Sequence, residues 1–222
     1  MSVVIRDYMT DTEFFDLSPN DHKAELIDGE MIVASPASEA HERVFGFLFG
    51  VLGMFVAERD LGIVRGSRTA MRLSETEVYE PDILFVAKGR LSLVQETFID
   101  GPADLAVEIL SRNTAYFDRG HKLANCALAG VREVWLIDPG KRTAEFYRLV
   151  GARYEPMPVD ADGVFRSEIA PGFWLRTAWL WEQPKPLGCP RARPDLKAAL
   201  PRTLHPTAES PCPLLPSRHN LA

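Results

Sequence analysis

The chain has 222 residues, 46% of them hydrophobic, with a formal net charge of −6. Length and composition fit one folded domain with a sizeable core, and the acidic balance argues against tight, nonspecific binding to nucleic acid. Three cysteines, Cys126, Cys189 and Cys212, with no CxxC spacing, point to neither a disulfide framework nor a zinc site and fit a reducing cytoplasm.

The N-terminal MSVVIRDYMTDTEFF lacks the basic start and apolar run of a secretory signal. The first predicted element is a short amphipathic helix from Thr10 to Leu17, with Thr10 as cap and Glu13 three residues on. AELID and GEMIVA then form a hairpin turning at Asp28-Gly29, and Ser35-Pro36 stops its second strand. From Ala37 to about Arg59, the apolar residues Val44, Phe47, Leu48, Val51, Leu52 and Phe55 recur three and four apart, which predicts a long helix laid on a sheet. Its most apolar part, Val44 to Ala57, is broken by Gly46, Gly50 and Gly53 and is expected to be too short for a membrane span.

Strands follow in IVRGSRTAMRL, EPDILFVA and ADLAVEIL. The last two are nearly continuous apolar runs, as strands buried on both faces would be. A helix from about Ala115 to Ala129 is ended by Gly130, VREVWLID resumes strand, and TAEFYRLV is a further strand expected at a sheet edge. The class is therefore α/β, or mixed α+β, with one central mixed sheet flanked by helices. This body spans residues 1–183 and holds 19 Lys or Arg against 29 Asp or Glu, a balance of −10. Residues 184–222 hold nine of the 17 prolines and six Lys or Arg against two Asp or Glu, and read as a disordered basic tail.

Two acids stand out against this pattern. Asp82 heads ILFVA, and Glu108 lies inside AVEIL, where a lone ionised carboxylate costs several kcal/mol unless it is paired or metal-bound. Glu108 could face solvent at a strand end or pair with Arg68 or Arg72, and Pro-Asp before a strand is ordinary turn chemistry. Two carboxylates on separate strands also suit a hard divalent cation such as Mg²⁺, helped by the Ile109 carbonyl, and that cation would assist phosphodiester hydrolysis. On the following helix, Asp118, Lys122 and Asn125 share a polar face; Asp118 and Lys122 alone could be an ordinary i,i+4 surface ion pair. Paired carboxylates at Glu25 and Glu108 acting on a small substrate are a third arrangement, which nothing in the spacing favours. The chain holds no GxSxG, GxxxxGK[ST], HExxH or GxGxxG.

ELIDGE, SPASEAH, EPDILFV, DLAVEILS, Asp118 with Lys122, and AGVREVWLIDP occur in an order that resembles the Uma-two family of restriction-endonuclease-like proteins, from about Glu25 to Tyr147. The resemblance implies the PD-(D/E)XK nuclease core and a Mg²⁺-dependent (or Mn²⁺-dependent) endonuclease acting on DNA, leaving a 5′-phosphate and a 3′-hydroxyl. Asp82 and Glu108 would be catalytic and hold the metal. The superfamily lysine expected two residues after Glu108 is Leu110 here, and Lys122 takes that role from the helix. Glu25 is implied as a further metal or water ligand; His41 would contact phosphate, or cap its helix and pack. The chain departs from the family at Ser111-Arg112-Asn113-Thr114 and at Asn125, where a tyrosine is usual. A homodimer would let two sites cut two strands. The alternative is a catalytically silent nuclease fold kept as a nucleic-acid or protein interaction module, which the acidic body favours.

Overall fold

The computed structural model describes residues 3–4, 8–18, 22–111 and 120–182. The predicted tail at 184–222, Asp118 and the first turns of the predicted 115–129 helix lie outside the described residues. Helix α1 (Asp11–Leu17) begins as its sequence dictates: the Thr10 hydroxyl accepts from the Glu13 N–H while the Glu13 carboxylate reaches back to the Thr10 N–H. Strands β2 (Ala24–Ile27) and β3 (Glu30–Val33) turn through Asp28 and Gly29, both at positive φ, 51° and 79°. That is the primed geometry a two-residue hairpin loop requires.

Helix α2 (Glu39–Glu58) is capped by the Ser38 hydroxyl, which accepts from the His41 N–H at 3.2 Å. At 20 residues it is long and apolar enough to cross a membrane, contrary to the expectation from its glycine-broken middle, because helix continues through all three glycines. In the fold it lies along a sheet, burying Val44, Leu48, Leu52, Phe55 and Val56. At Gly46, Gly50 and Gly53 a methyl group would meet nothing within 4 Å.

The central sheet is mixed and six-stranded, in the order β12 (Arg153–Pro156), β11 (Thr143–Val150), β10 (Glu133–Asp138), β9 (Leu105–Ile109), β7 (Ile83–Ala87), β4 (Gly62–Gly66). Only β9 and β10 run parallel, and helix α3 (His121–Ala129) lies in the crossover between them. Strands β7 and β9 are buried on both faces, as their apolar runs require. TAEFYRLV is not an edge: Gly151, at φ 61°, turns the chain back so that β12 covers it. A second six-stranded sheet, β1 (Val3–Val4), β3, β2, β6 (Glu77–Tyr79), β5 (Ala70–Ser74), β8 (Phe98–Asp100), joins the one sheet that the sequence predicts, and IVRGSRTAMRL is divided between the two.

Alternation along the strands sorts the core into layers. Ile83, Phe85, Leu105, Val107, Trp135 and Phe146 face α2 and a C-terminal ribbon, β13 (Val164–Arg166) with β14 (Trp174–Arg176). Trp135 stacks on Phe173, and Phe146 on Phe165. The opposite residues, Leu84, Val86, Ala106, Val134 and Leu136, meet Ile27, Met71 and Tyr79 of the second sheet and Cys126 of α3. Beyond them, Leu26, Met31 and Val78 pack on Phe14 of α1. Glu133, fully buried at the start of β10, ties the ribbon down by accepting from the Trp135 indole and the N–H groups of Glu168 and Ile169.

Candidate active site

Strand register brings the two predicted acids together. Ile83 pairs with Val107 and Leu84 with Ala106, so one step further Asp82 stands opposite Glu108. Both share the face of Leu84 and Ala106, which is covered by the second sheet and α3. The Ile109 N–H donates to Asp82 Oδ2 at 2.7 Å, locking that carboxylate at the strand end.

The second sheet supplies the opposing wall. Ile27 points between the sheets, so period-two alternation turns Glu25 and Lys23 the same way. From α3, Lys122, only 4% exposed, reaches Glu25 Oε1 at 2.6 Å and Glu108 Oε1 at 2.7 Å. The reading of Lys122 as half of a surface pair is thereby overturned, because the helix face that carries it also buries Cys126 and is turned inward. Nor does Arg72 compensate Glu108: its guanidinium is spent on Asp11 and Asp100. Lys122 also lies 5.5 Å from the centre of the Tyr79 ring, and Asn125, one turn on, donates to the Tyr79 hydroxyl at 2.9 Å. Asn125 thus seats α3 on the second sheet.

Three residues complete the cluster, two of which sequence reasoning missed. Lys23 Nζ lies 2.9 Å from Asp82 Oδ1. Burial works against its charge, but Asp82, then Glu108 and Glu25, outweigh that and raise its pKa. His41 neither caps α2 nor stands apart from the acids: its Nε2 is 3.2 Å from Asp82 Oδ2 and its Nδ1 3.2 Å from Glu42. Burial opposes the imidazolium, yet the hydrogen bond and charge of Asp82 prevail and raise its pKa. Asp82 is correspondingly held well below the usual carboxylate range: burial favours its neutral form, but Lys23, His41 and the Ile109 N–H outweigh it.

Glu80 is the other residue missed. It is 6% exposed, its N–H donates to Glu25 Oε1 at 2.9 Å, and its Oε2 is the one buried side-chain polar atom among the described residues without a hydrogen-bond partner. Burial, reinforced by the charge of Glu25, pushes its pKa up to about 7 despite Lys23 and Arg68. An acid raised in this way costs stability once the pH exceeds its unfolded value, and the cost grows until the folded group ionises as well. Glu80→Gln is therefore expected to stabilise the protein by about 2–3 kcal/mol more at pH 8 than at pH 4.5, read from denaturant midpoints at the two pH values. An equal effect at both would show that Glu80 carries no such cost.

Among the described residues, no group of three or more His, Cys, Asp or Glu is arranged to hold a metal ion. The donor set nevertheless fits Mg²⁺, which takes oxygen ligands, is satisfied by one or two carboxylates and keeps several waters. Asp82 and Glu108 provide two such carboxylates on one face, and Glu80 Oε2 is a buried oxygen without a donor.

A mixed central sheet flanked by helices is consistent with a restriction-endonuclease-like architecture. The chain belongs to the Uma2 family, described as "Putative restriction endonuclease", whose model matches residues 11–178. It is similar in fold to a crystal structure of a "putative nuclease belonging to DUF820" from Anabaena variabilis ATCC 29413, with a TM-score of 0.68 and 20% identity over 78% of this chain and 97% of that one. No curated protein matches the chain.

Proposed function

We propose that this protein is a Mg²⁺-dependent endonuclease that hydrolyses phosphodiester bonds of DNA in the cytoplasm, with Asp82, Glu108 and Lys122 as its catalytic residues. The observation that carries the reading is the placing of Asp82 and Glu108 opposite each other on one face, with the Lys122 ammonium 2.7 Å from Glu108. Asp82 and Glu108 would hold the metal, and Glu25 a water beside it. When bound, Mg²⁺ or Mn²⁺ supplies a Lewis acid for the phosphoryl oxygens and lowers the pKa of a coordinated water.

The chain's own residues do the rest. Lys122, fixed between two carboxylates, keeps a positive charge where negative charge develops on the phosphoryl group, without reorganising at the moment of reaction. His41 and the Ile109 N–H hold Asp82 ionised and oriented. Cutting both strands would take two copies of the chain related by a twofold axis. Nicking of supercoiled plasmid that requires Mg²⁺ or Mn²⁺ and is lost in Glu108→Ala is the expected result; identical behaviour of the two proteins would end the proposal.

A second reading, a nuclease fold kept as an interaction module, is favoured by the acidic body and by acids already paired with Lys23, Lys122 and His41. Calorimetry separates the two, since a silent module gives no Mg²⁺ heat that depends on Asp82 and Glu108.

A further inference from the structure

The two oxygens of Asp82 are not equivalent. Oδ2 is held by the Ile109 N–H at 2.7 Å and by His41 at 3.2 Å, one a strand-end backbone group and the other anchored in the first turn of α2. Oδ1 is held by Lys23 at 2.9 Å. A cation that binds Asp82 without dismantling the strand must therefore bind Oδ1, where an ammonium already sits. Lys23 is also the more exposed of the two site lysines: its side chain is 22% exposed, against 4% for Lys122, and it precedes β2. Its four-carbon stem can carry the ammonium toward water without disturbing packing.

We infer that Lys23 is an affinity-determining residue of the proposed metal site: its ammonium is the resident counter-cation of Asp82, and a divalent ion binds by displacing it. This rests on the assignment of Asp82 and Glu108 as metal ligands. The consequence is quantitative. If the carboxylate is open to metal only in the fraction of molecules in which Lys23 has left, the apparent dissociation constant is the intrinsic one divided by that fraction. Removing the ammonium brings the fraction toward one, so Lys23→Met, although it deletes a residue of the site, binds metal more tightly than the wild type.

The test is titration of the full chain with Mn²⁺, followed by the electron paramagnetic resonance of the free ion. Lys23→Met is expected to tighten binding roughly tenfold, the gain for an ion pair closed about nine-tenths of the time. Lys23→Arg keeps a cation on Asp82 and is expected to stay within about twofold of wild type, and Asp82→Asn to remove the binding in both backgrounds. Lys23→Gln serves in place of Lys23→Met if the latter does not fold. Mn²⁺ binding by wild type that is unchanged or weakened in Lys23→Met overturns the inference and leaves the metal assignment standing. Binding by neither protein overturns both. Binding seen only after Lys23 is removed supports the displacement directly.

Discussion

Glu108→Ala is expected to lower the rate of metal-dependent plasmid cleavage by on the order of 10²–10³-fold or more, the usual loss when one preorganised electrostatic element is removed from an active site. The protein should still fold, because Lys122 keeps Glu25 at 2.6 Å when Glu108 is gone. Glu108→Gln separates charge from volume: it preserves the strand packing among Val107, Ile109 and Leu136 and should lose as much activity as the alanine variant. The informative comparison is single-turnover cleavage of a duplex oligonucleotide at saturating Mg²⁺. A rate within about threefold of wild type in either variant would mean that the opposed carboxylates of β7 and β9 are a structural ion-pair network rather than a catalytic one.

Lys122→Met carries the largest expected effect on stability. An ammonium only 4% exposed lies between two carboxylates at 2.6 and 2.7 Å, and methionine keeps its unbranched stem while deleting its charged end. Breaking a buried pair by removing one partner costs about 3–5 kcal/mol, because the desolvated charge left behind loses its compensation. Adding Glu108→Gln should return part of that loss, with a coupling of about 1–3 kcal/mol between the two sites, whereas two distant substitutions would simply add. Urea denaturation of the two single variants and the double variant measures it. Strict additivity would show that Lys122 and Glu108 do not share the energy their geometry implies.

Much of this site was legible in the sequence, and for identifiable reasons. Glu108 inside AVEIL and Asp82 before ILFVA are charges in buried strands, and burial of charge demands a partner wherever the strands lie. The α1 capping box and the Asp28-Gly29 turn are local chemistry, which short segments encode completely. Lys122, fourteen positions after Glu108, was reached through the family resemblance, whereas Lys23, which comes from a hairpin 59 residues before Asp82, could not be read as a partner at all. Lys23 did leave one signal, its i,i+2 spacing from Glu25, which on a strand places both side chains on one face. The second sheet was missed because EVY is too short to show alternation, and its link to the β2–β3 hairpin is a single register pair, Leu26 with Val78, beside three with β5. TAEFYRLV seemed an edge because its exposed alternation is that of a strand solvated on one face, a pattern that an added neighbour at β12 does not change.

The glycines of α2 bear on how such variants can be made. Glycine within a helix costs roughly 0.5–1 kcal/mol relative to alanine, and at positions 46, 50 and 53 an added methyl has room. Gly46→Ala, Gly50→Ala and Gly53→Ala together should raise the melting temperature by several degrees while leaving β7, β9 and α3 untouched. A scaffold reinforced along its spine in this way could offset part of the loss of Lys122 and help the chemistry of the crippled centre to be measured in a folded protein.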